Sequence, residues 1–312
     1  MATVTQGPFG EVSGSAPAGP RLLRHPWRAF LLVLALHGAG FALVGVVLYR
    51  VFRLPQDLSN LEALPTALHF AAGGLLGYVL MPYLLRLPCG SRSFRRYLDD
   101  IRLTRLEPFL PLLLLTVSCV LILIACQGTG SLVFRLSEGK PVTLSFVGQV
   151  FNLPAALPPQ SMLLFAQMFS SLEEVLFRGV LLTMLLRVCS PRKAIVWSAA
   201  AFGLMHLPGV FVGMPVVTVL AQVLWAFLFG LFYGYIFLVS GSLFPSMVIH
   251  WLSNVFQEPL TAYWATASIP VRALYGVVFG YGLAAVLMIL WVRFFSERWL
   301  PRKEPARNSA PA

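Results

Sequence analysis

Charge is spread so unevenly along this chain that it divides the sequence into runs. Eight stretches are almost free of charged residues, at about 29–49, 63–85, 109–127, 161–186, 194–213, 215–239, 242–256 and 273–295. A bilayer core about 30 Å thick takes roughly 20 apolar residues in a helix that rises about 1.5 Å per residue. The stretch 242–256 is short for a lipid-facing span and is expected to pack inside the bundle. The pattern predicts an all-α polytopic membrane protein, a bundle of about eight transmembrane helices. The first apolar run is too long for a cleavable signal peptide, and no small-residue cleavage site follows it. No internal repeat is visible.

Composition narrows the class further. The chain has 312 residues, 58% apolar and only 11% charged, with a mean hydropathy of +0.78. Soluble domains carry about 25% charged residues, so a soluble enzyme with a sheet core is excluded, and so is a disordered chain. Four cysteines in 312 residues are too sparse for a disulfide scaffold. A formal charge of +11 invites a nucleic-acid partner. The basic residues, however, fall between the apolar runs, where membrane topology explains them, so membrane lipids are the expected partner and nucleic acid is not.

Counting Lys and Arg in alternate regions between the spans gives 17 on one side and 5 on the other, with Arg178 left inside a span. The positive-inside rule then puts both termini in the cytoplasm. Tails rich in Pro, Ala and Arg, without organelle signals, favour a bacterial inner membrane. The expected organisation is a disordered tail at 1–25, N-terminal transmembrane helices and loops at 26–160, a core at 161–257, a final transmembrane helix at 258–298 and a second disordered tail at 299–312. Within the N-terminal part, 91–107 mixes Arg with Tyr97, Leu98, Ile101 and Leu103. It reads either as an amphipathic helix lying on anionic headgroups or as a solvated linker. The loop 128–160 is expected to be the longest external segment, and its prolines argue against regular structure before the fourth span.

Ten of the 12 acidic residues lie in tails, loops or helix ends. The other two, Glu173 and Glu174, sit in the middle of the fourth span with Arg178 one turn on. An ionisable side chain at mid-bilayer costs a few kcal/mol or more, so three in six residues call for a reason. Glu174 and Arg178 stand at i and i+4 and can pair, which on its own fits a structural ion pair. That leaves Glu173, about 100° around the helix, free for another partner.

Histidine supplies candidates. His37 and His69, alone in the first two spans, read as packing or hydrogen-bonding residues. His206 lies about 20 Å above the basic residues that open the fifth span, and Glu173 about 21 Å above those that close the fourth. His250 and Asn254, at i and i+4 on the seventh span, lie roughly 12 and 18 Å above its start. Three spans thus carry Glu, His, His and Asn to overlapping depths. A poorly solvated carboxylate can take a proton from water, and an imidazole can hold that water. A second imidazole and an amide can donate to an oxyanion, the equipment for hydrolysing an amide bond. No G-x-S-x-G, no Cys beside a His and no H-E-x-x-H is present. Zinc held by Glu173, His206 and His250 is an open alternative to a carboxylate-activated water, although no metal is the favoured reading.

Three motifs carry these residues. Glu173-Glu174-Val-Leu-Phe-Arg178 resembles E-E-x-x-x-R, Phe202-Gly-Leu-Met-His206 resembles F-x-x-x-H, and His250-Trp-Leu-Ser-Asn254 resembles H-x-x-x-N. Together, in order and on separate spans, they resemble the CPBP intramembrane proteases, also called the Abi or CAAX-protease family, which includes the Ras-converting enzymes. The resemblance makes 161–257 a CPBP-like catalytic core. It implies that Glu173 is the general base and His206 its water-positioning partner. His250 and Asn254 would hold the oxyanion, with Glu174 and Arg178 in support. The implied substrate is a membrane-anchored or lipidated protein. Two alternatives stay open, a non-catalytic protein that keeps the family fold (immunity-type or scaffold) and an ion-coupled transporter using the Glu/His cluster as a proton relay. Gly230-xxx-Gly234 and Gly276-xxx-Gly280 fit close helix packing. Cys119 and Cys126 read as small core residues.

Overall fold

A backbone in lipid must satisfy its own hydrogen bonds, which leaves the helix as the local solution for apolar runs of this length. The computed structural model describes residues 25–56, 63–152, 162–265 and 267–300, and among these every regular element is helical. The elements are α1 (Pro26–Val51), α2 (Leu64–Leu84), α3 (Phe94–Asp100), α4 (Phe109–Ser137), α5 (Leu144–Val150), α6 (Met162–Ser170), α7 (173–185), α8 (Pro191–Leu204), α9 (Val216–Ser240), α10 (Phe244–Ala265) and α11 (Ile269–Trp299). All eight expected spans have a helical counterpart. The all-α polytopic class holds, and six helices among the described residues are long and apolar enough to cross a membrane. The other two spans carry two of the three motifs. The fourth is divided into α6 and α7, and α10 holds His250, Asn254 and Gln257. The two tails, at 1–24 and 301–312, lie outside the described residues, as does the proline-rich end of the 128–160 loop.

Three features differ from the expectation. First, α4 continues to Ser137, so much of the expected loop is helix, and α5 follows it. The extension is polar because it is buried in protein. Gln127, fully buried, donates to the Gly280 carbonyl, and Gly130 lies under the Trp264 ring. Second, α10 runs to Ala265 rather than stopping near 256. Third, α3 sets its apolar face on protein, while Phe94, Arg95 and Arg96 stay exposed. Tyr97 and Ile101 are fully buried against Leu176, Phe177 and Val180 of α7. A Cβ on Gly179 would stand 2.9 Å from the Ile101 side chain. Amphipathic periodicity sets which side of such a helix is apolar but not whether lipid or protein receives it. Here protein does.

These contacts sort the bundle into two ends. At the first, the Leu243 N–H donates to the Arg102 carbonyl at 3.1 Å, the Arg102 guanidinium lies 4.7 Å from the Phe237 ring, and Arg187 reaches Cys89. Burial, and then neighbouring Arg105, pull Arg102 down to about 10, so it stays cationic at neutral pH. At the second end, Tyr275 packs on Phe134 and Tyr263 on Phe146. Between the ends, α1 and α2 cross glycine on glycine: a Cβ on Gly40 would meet the Gly77 Cα at 2.6 Å. A second core of Leu115, Cys119, Leu123 and Cys126 packs α4 against Phe232 and Met288, so the two cysteines do serve as small core residues.

Since Ile101 fills the notch over Gly179, Ile101→Ala should cost about 2–5 kcal/mol of stability, as large-to-small core changes do. The expected result is a melting temperature in detergent lowered by several degrees, with the helical signal retained.

Candidate active site

The glutamate pair stands where the helix changes pitch. Leu172, Glu174 and Val175 each donate to the carbonyl three residues back, a tight turn, and Val175–Leu182 then winds with wide π turns. Wide turns also occur at Val46–Val51, Leu75–Leu80 and Gly276–Gly282, so here it is the charged side chains that distinguish the segment. One carbonyl in this segment, that of Phe177, accepts from Ser198 Oγ of α8 at 2.8 Å.

Glu174 and Arg178 are both fully buried and paired, Arg178 Nη1 to Glu174 Oε1 at 2.9 Å. The same Oε1 accepts from His250 Nδ1, also at 2.9 Å. The guanidinium is held between two rings, 4.3 Å from the Phe202 centroid and 5.2 Å from that of Tyr233. Such contacts stabilise a desolvated cation by up to about 2 kcal/mol. Its space is set by Gly230 on α9, where an added Cβ would stand 2.8 Å from the Ala199 Cα and 3.2 Å from Arg178 Nη2. The close-packing role expected of Gly230 and Gly234 is therefore met, as it is at Gly276 against Trp225. Gly280 is different: it has open space and lines a cavity of about 170 Å³.

Glu173 turns the other way, into a cavity of about 290 Å³. His206, His250 and Asn254 line the same cavity, so the structure brings together all four residues expected to act on substrate, while Glu174 and Arg178 stand behind them. Water occupies about 30 Å³ in the liquid, so the space holds solvent and a peptide group together. His250 Nε2 lies 3.9 Å from Glu173 Oε2. His250 is stacked on Tyr233, with centroids 5.3 Å apart and planes at 20°, and edge-on to Phe202.

His206 sits just past the end of α8, where the helix tightens toward Leu207–Val212. Its Nδ1 lies 3.0 Å from the Phe202 carbonyl, which can only accept, so Nδ1 carries the proton and Nε2 is left as an acceptor. Asn254 donates through Nδ2 to Ser170 Oγ at 3.1 Å, and Ser170 donates to Gln167. An amide nitrogen carries two hydrogens, so one remains for the cavity. Among the described residues, no three His, Cys, Asp or Glu side chains converge as metal ligands. Glu173, His206 and His250 share a cavity without forming that set.

Sequence reasoning did not single out the rest of the wall: Gln167, Gln222, Gln257, Tyr233 and Tyr281 also face it. For the three glutamines the signal is an amide side chain inside an otherwise apolar run. Nor did it connect His37 to the site. His37 Nδ1 and the buried Tyr78 hydroxyl are 2.8 Å apart, with their rings stacked, and Tyr78 interacts electrostatically with Glu173 as His37 does with His206. His69 bonds the Phe41 carbonyl and Tyr49, as a hydrogen-bonding residue should.

Residues 156–256 match the family model described as type II CAAX prenyl endopeptidase, Rce1-like. All three motifs fall inside the match. Over this segment, about a third of the chain, the protein is similar to the CAAX-protease family. Comparison with curated proteins and with solved structures gave no significant match. The matched segment takes in α6 through most of α10, and it supports a peptidase embedded in the membrane. Helices α1 to α4 and α11 surround that segment.

Arg178→Met strips the cation from a buried carboxylate and should destabilise by about 3–5 kcal/mol, whereas Arg178→Met with Glu174→Gln leaves no unpaired charge and should recover much of the loss. Melting in detergent checks this. An equal loss in the single and double variants would show that the pair is not the source of the stability.

Proposed function

We propose that the chain is an intramembrane endopeptidase that cleaves a peptide bond in a membrane-anchored or lipidated protein, using a water activated by Glu173. The observation that carries this is the convergence of Glu173, His206, His250 and Asn254 on one water-sized to peptide-sized cavity. Its support is chemical. His206 presents a lone pair at Nε2, the right polarity to hold a water by one of its hydrogens. Glu173, unpaired with any Lys or Arg among the described residues, takes the proton as the oxygen attacks the carbonyl carbon. The resulting oxyanion is met by the free Nδ2 hydrogen of Asn254. As the C–N bond breaks, Glu173 returns its proton to the leaving amine, giving a carboxylate-terminated product and an amine-terminated one.

His250 has a conditional part. Its Nδ1 proton is committed to Glu174, so Nε2 donates only when the ring is an imidazolium. Glu174 and Arg178 therefore act through His250, not on the substrate. The proposed route needs no metal: Glu173 supplies the base and the Asn254 amide the electrophilic support.

Glu173→Gln should lower cleavage by about 10²–10⁴, the range of a general base, with normal expression. Asn254→Ala should lower it by about 10²–10³, the range of one oxyanion donor. The measurement is processing of membrane proteins in cells expressing each full-length variant, and undiminished processing in Glu173→Gln sinks the mechanism. Purified enzyme should keep its rate in the presence of 1,10-phenanthroline; abolished activity restored by zinc would overturn the metal-free route.

A further inference from the structure

The two ends of the bundle differ in charge and in wetness, and the two differences run opposite to each other. The end holding α3 carries Arg92, Arg95, Arg96, Arg102 and Arg105 on one connection and Arg192 with Lys193 on another. On that side of the glutamate pair the interior is dry. Leu176, Phe177, Val180, Leu181 and Leu182 of α7 are all fully buried, and Tyr97, Ile101, Phe237 and Leu243 close the end beneath them. The N–H bond from Leu243 to Arg102 ties the closing elements together.

Toward the other end the interior is hollow. The catalytic cavity adjoins a second one of about 170 Å³, and Trp225, Gln257 and Tyr281 line both. The Trp225 and Tyr281 rings stack at 5.3 Å with planes 17° apart, forming a plate between the two spaces. From the plate the second cavity extends past Thr218 and Thr261 to Ile269 and Arg272, at the ends of α9, α10 and α11. These are the ends joined by connections that hold few basic residues.

Cationic connections stay on the cytoplasmic side of a membrane. Resting on the peptidase reading, we infer that substrate reaches this site from the non-cytoplasmic half of the bilayer, so that the protein cleaves anchored segments whose scissile bond lies near the outer face rather than tails presented by the cytoplasm. The hollow route, polar at the site and mainly apolar beyond it, leads to that face, while the cytoplasmic route is filled by α3. The 170 Å³ space beyond the Trp225–Tyr281 plate is large enough for one bulky apolar side chain next to the scissile bond. An anchored segment entering the membrane has such side chains to offer.

Two measurements on the full chain test this. In intact bacterial cells, a membrane-impermeant maleimide should label Ser268→Cys and leave Cys89, on the α3 side, unlabelled until the cells are opened. Labelling in the reverse order overturns the inference. Terminal proteomics of membranes from cells making the wild type or Glu173→Gln should then find Glu173-dependent new termini at the outer-face end of membrane anchors. Glu173-dependent termini confined to cytoplasmic tails also overturn it. If labelling runs as expected and no terminus depends on Glu173, the sidedness stands and the peptidase reading fails.

Discussion

One oxygen atom holds the site together. Glu174 Oε1 accepts from Arg178 within its own helix and from His250 on α10, both at 2.9 Å. A carboxylate with no exposure could not persist without such partners, because the cost of stripping its water is several kcal/mol. The pairing fixes two things together. It locks α7 against α10 at the depth of the motifs, and it dictates which nitrogen of His250 is left for chemistry. The positioning is exact only because the guanidinium in turn is clamped between Phe202 and Tyr233, with Gly230 giving it room.

The adjacent glutamate must do something different with almost the same sequence position. In a regular helix two consecutive residues diverge by about 100°, which directs one carboxylate away from the ion pair but does not guarantee a cavity on that side. The tight turn at 171–175 and the wide turns after it set the direction. Glu174 is driven into the protein and Glu173 toward His206 and Asn254. Irregular backbone at membrane depth is tolerated where it is buried in protein or lines a wet space, and this turn does both.

Much of this was legible in the sequence, and the residues show why. Glu173, Glu174 and Arg178 stand out because an apolar run makes charge conspicuous, and rise per residue suffices to match their depth to His206, His250 and Asn254. Depth is one coordinate, however, and pairing needs rotation about each helix axis as well. That the Glu174 carboxylate bonds His250 Nδ1 depends on the pitch change at 171–182, which no periodicity reveals. The burial of Tyr97 and Ile101 was equally hidden, since headgroup boundary and protein groove demand the same amphipathic face. The polar continuation of α4 reads as loop on hydropathy alone, because Gln127 and Gly130 look costly until Gly280 and Trp264 are seen to receive them.

A hydrolase inside a membrane also has to be supplied with water, and the distribution of polar side chains accounts for the supply. Glutamines enter the cavity wall from three helices, Gln167 from α6, Gln222 from α9 and Gln257 from α10, with Tyr281 from α11 bonded to the last. None of them carries charge, so none adds the penalty of a further buried ion, yet each offers donors and acceptors that keep solvent in place. The gradient runs one way: dry core below the glutamate pair, ion pair at its edge, amides above. On the proposed reading, solvent admitted along the amides would reach Glu173 and stop at the Arg178 clamp. The ion pair that positions the histidine therefore also marks the floor of the cavity, and the Glu173 carboxylate sits immediately above that floor.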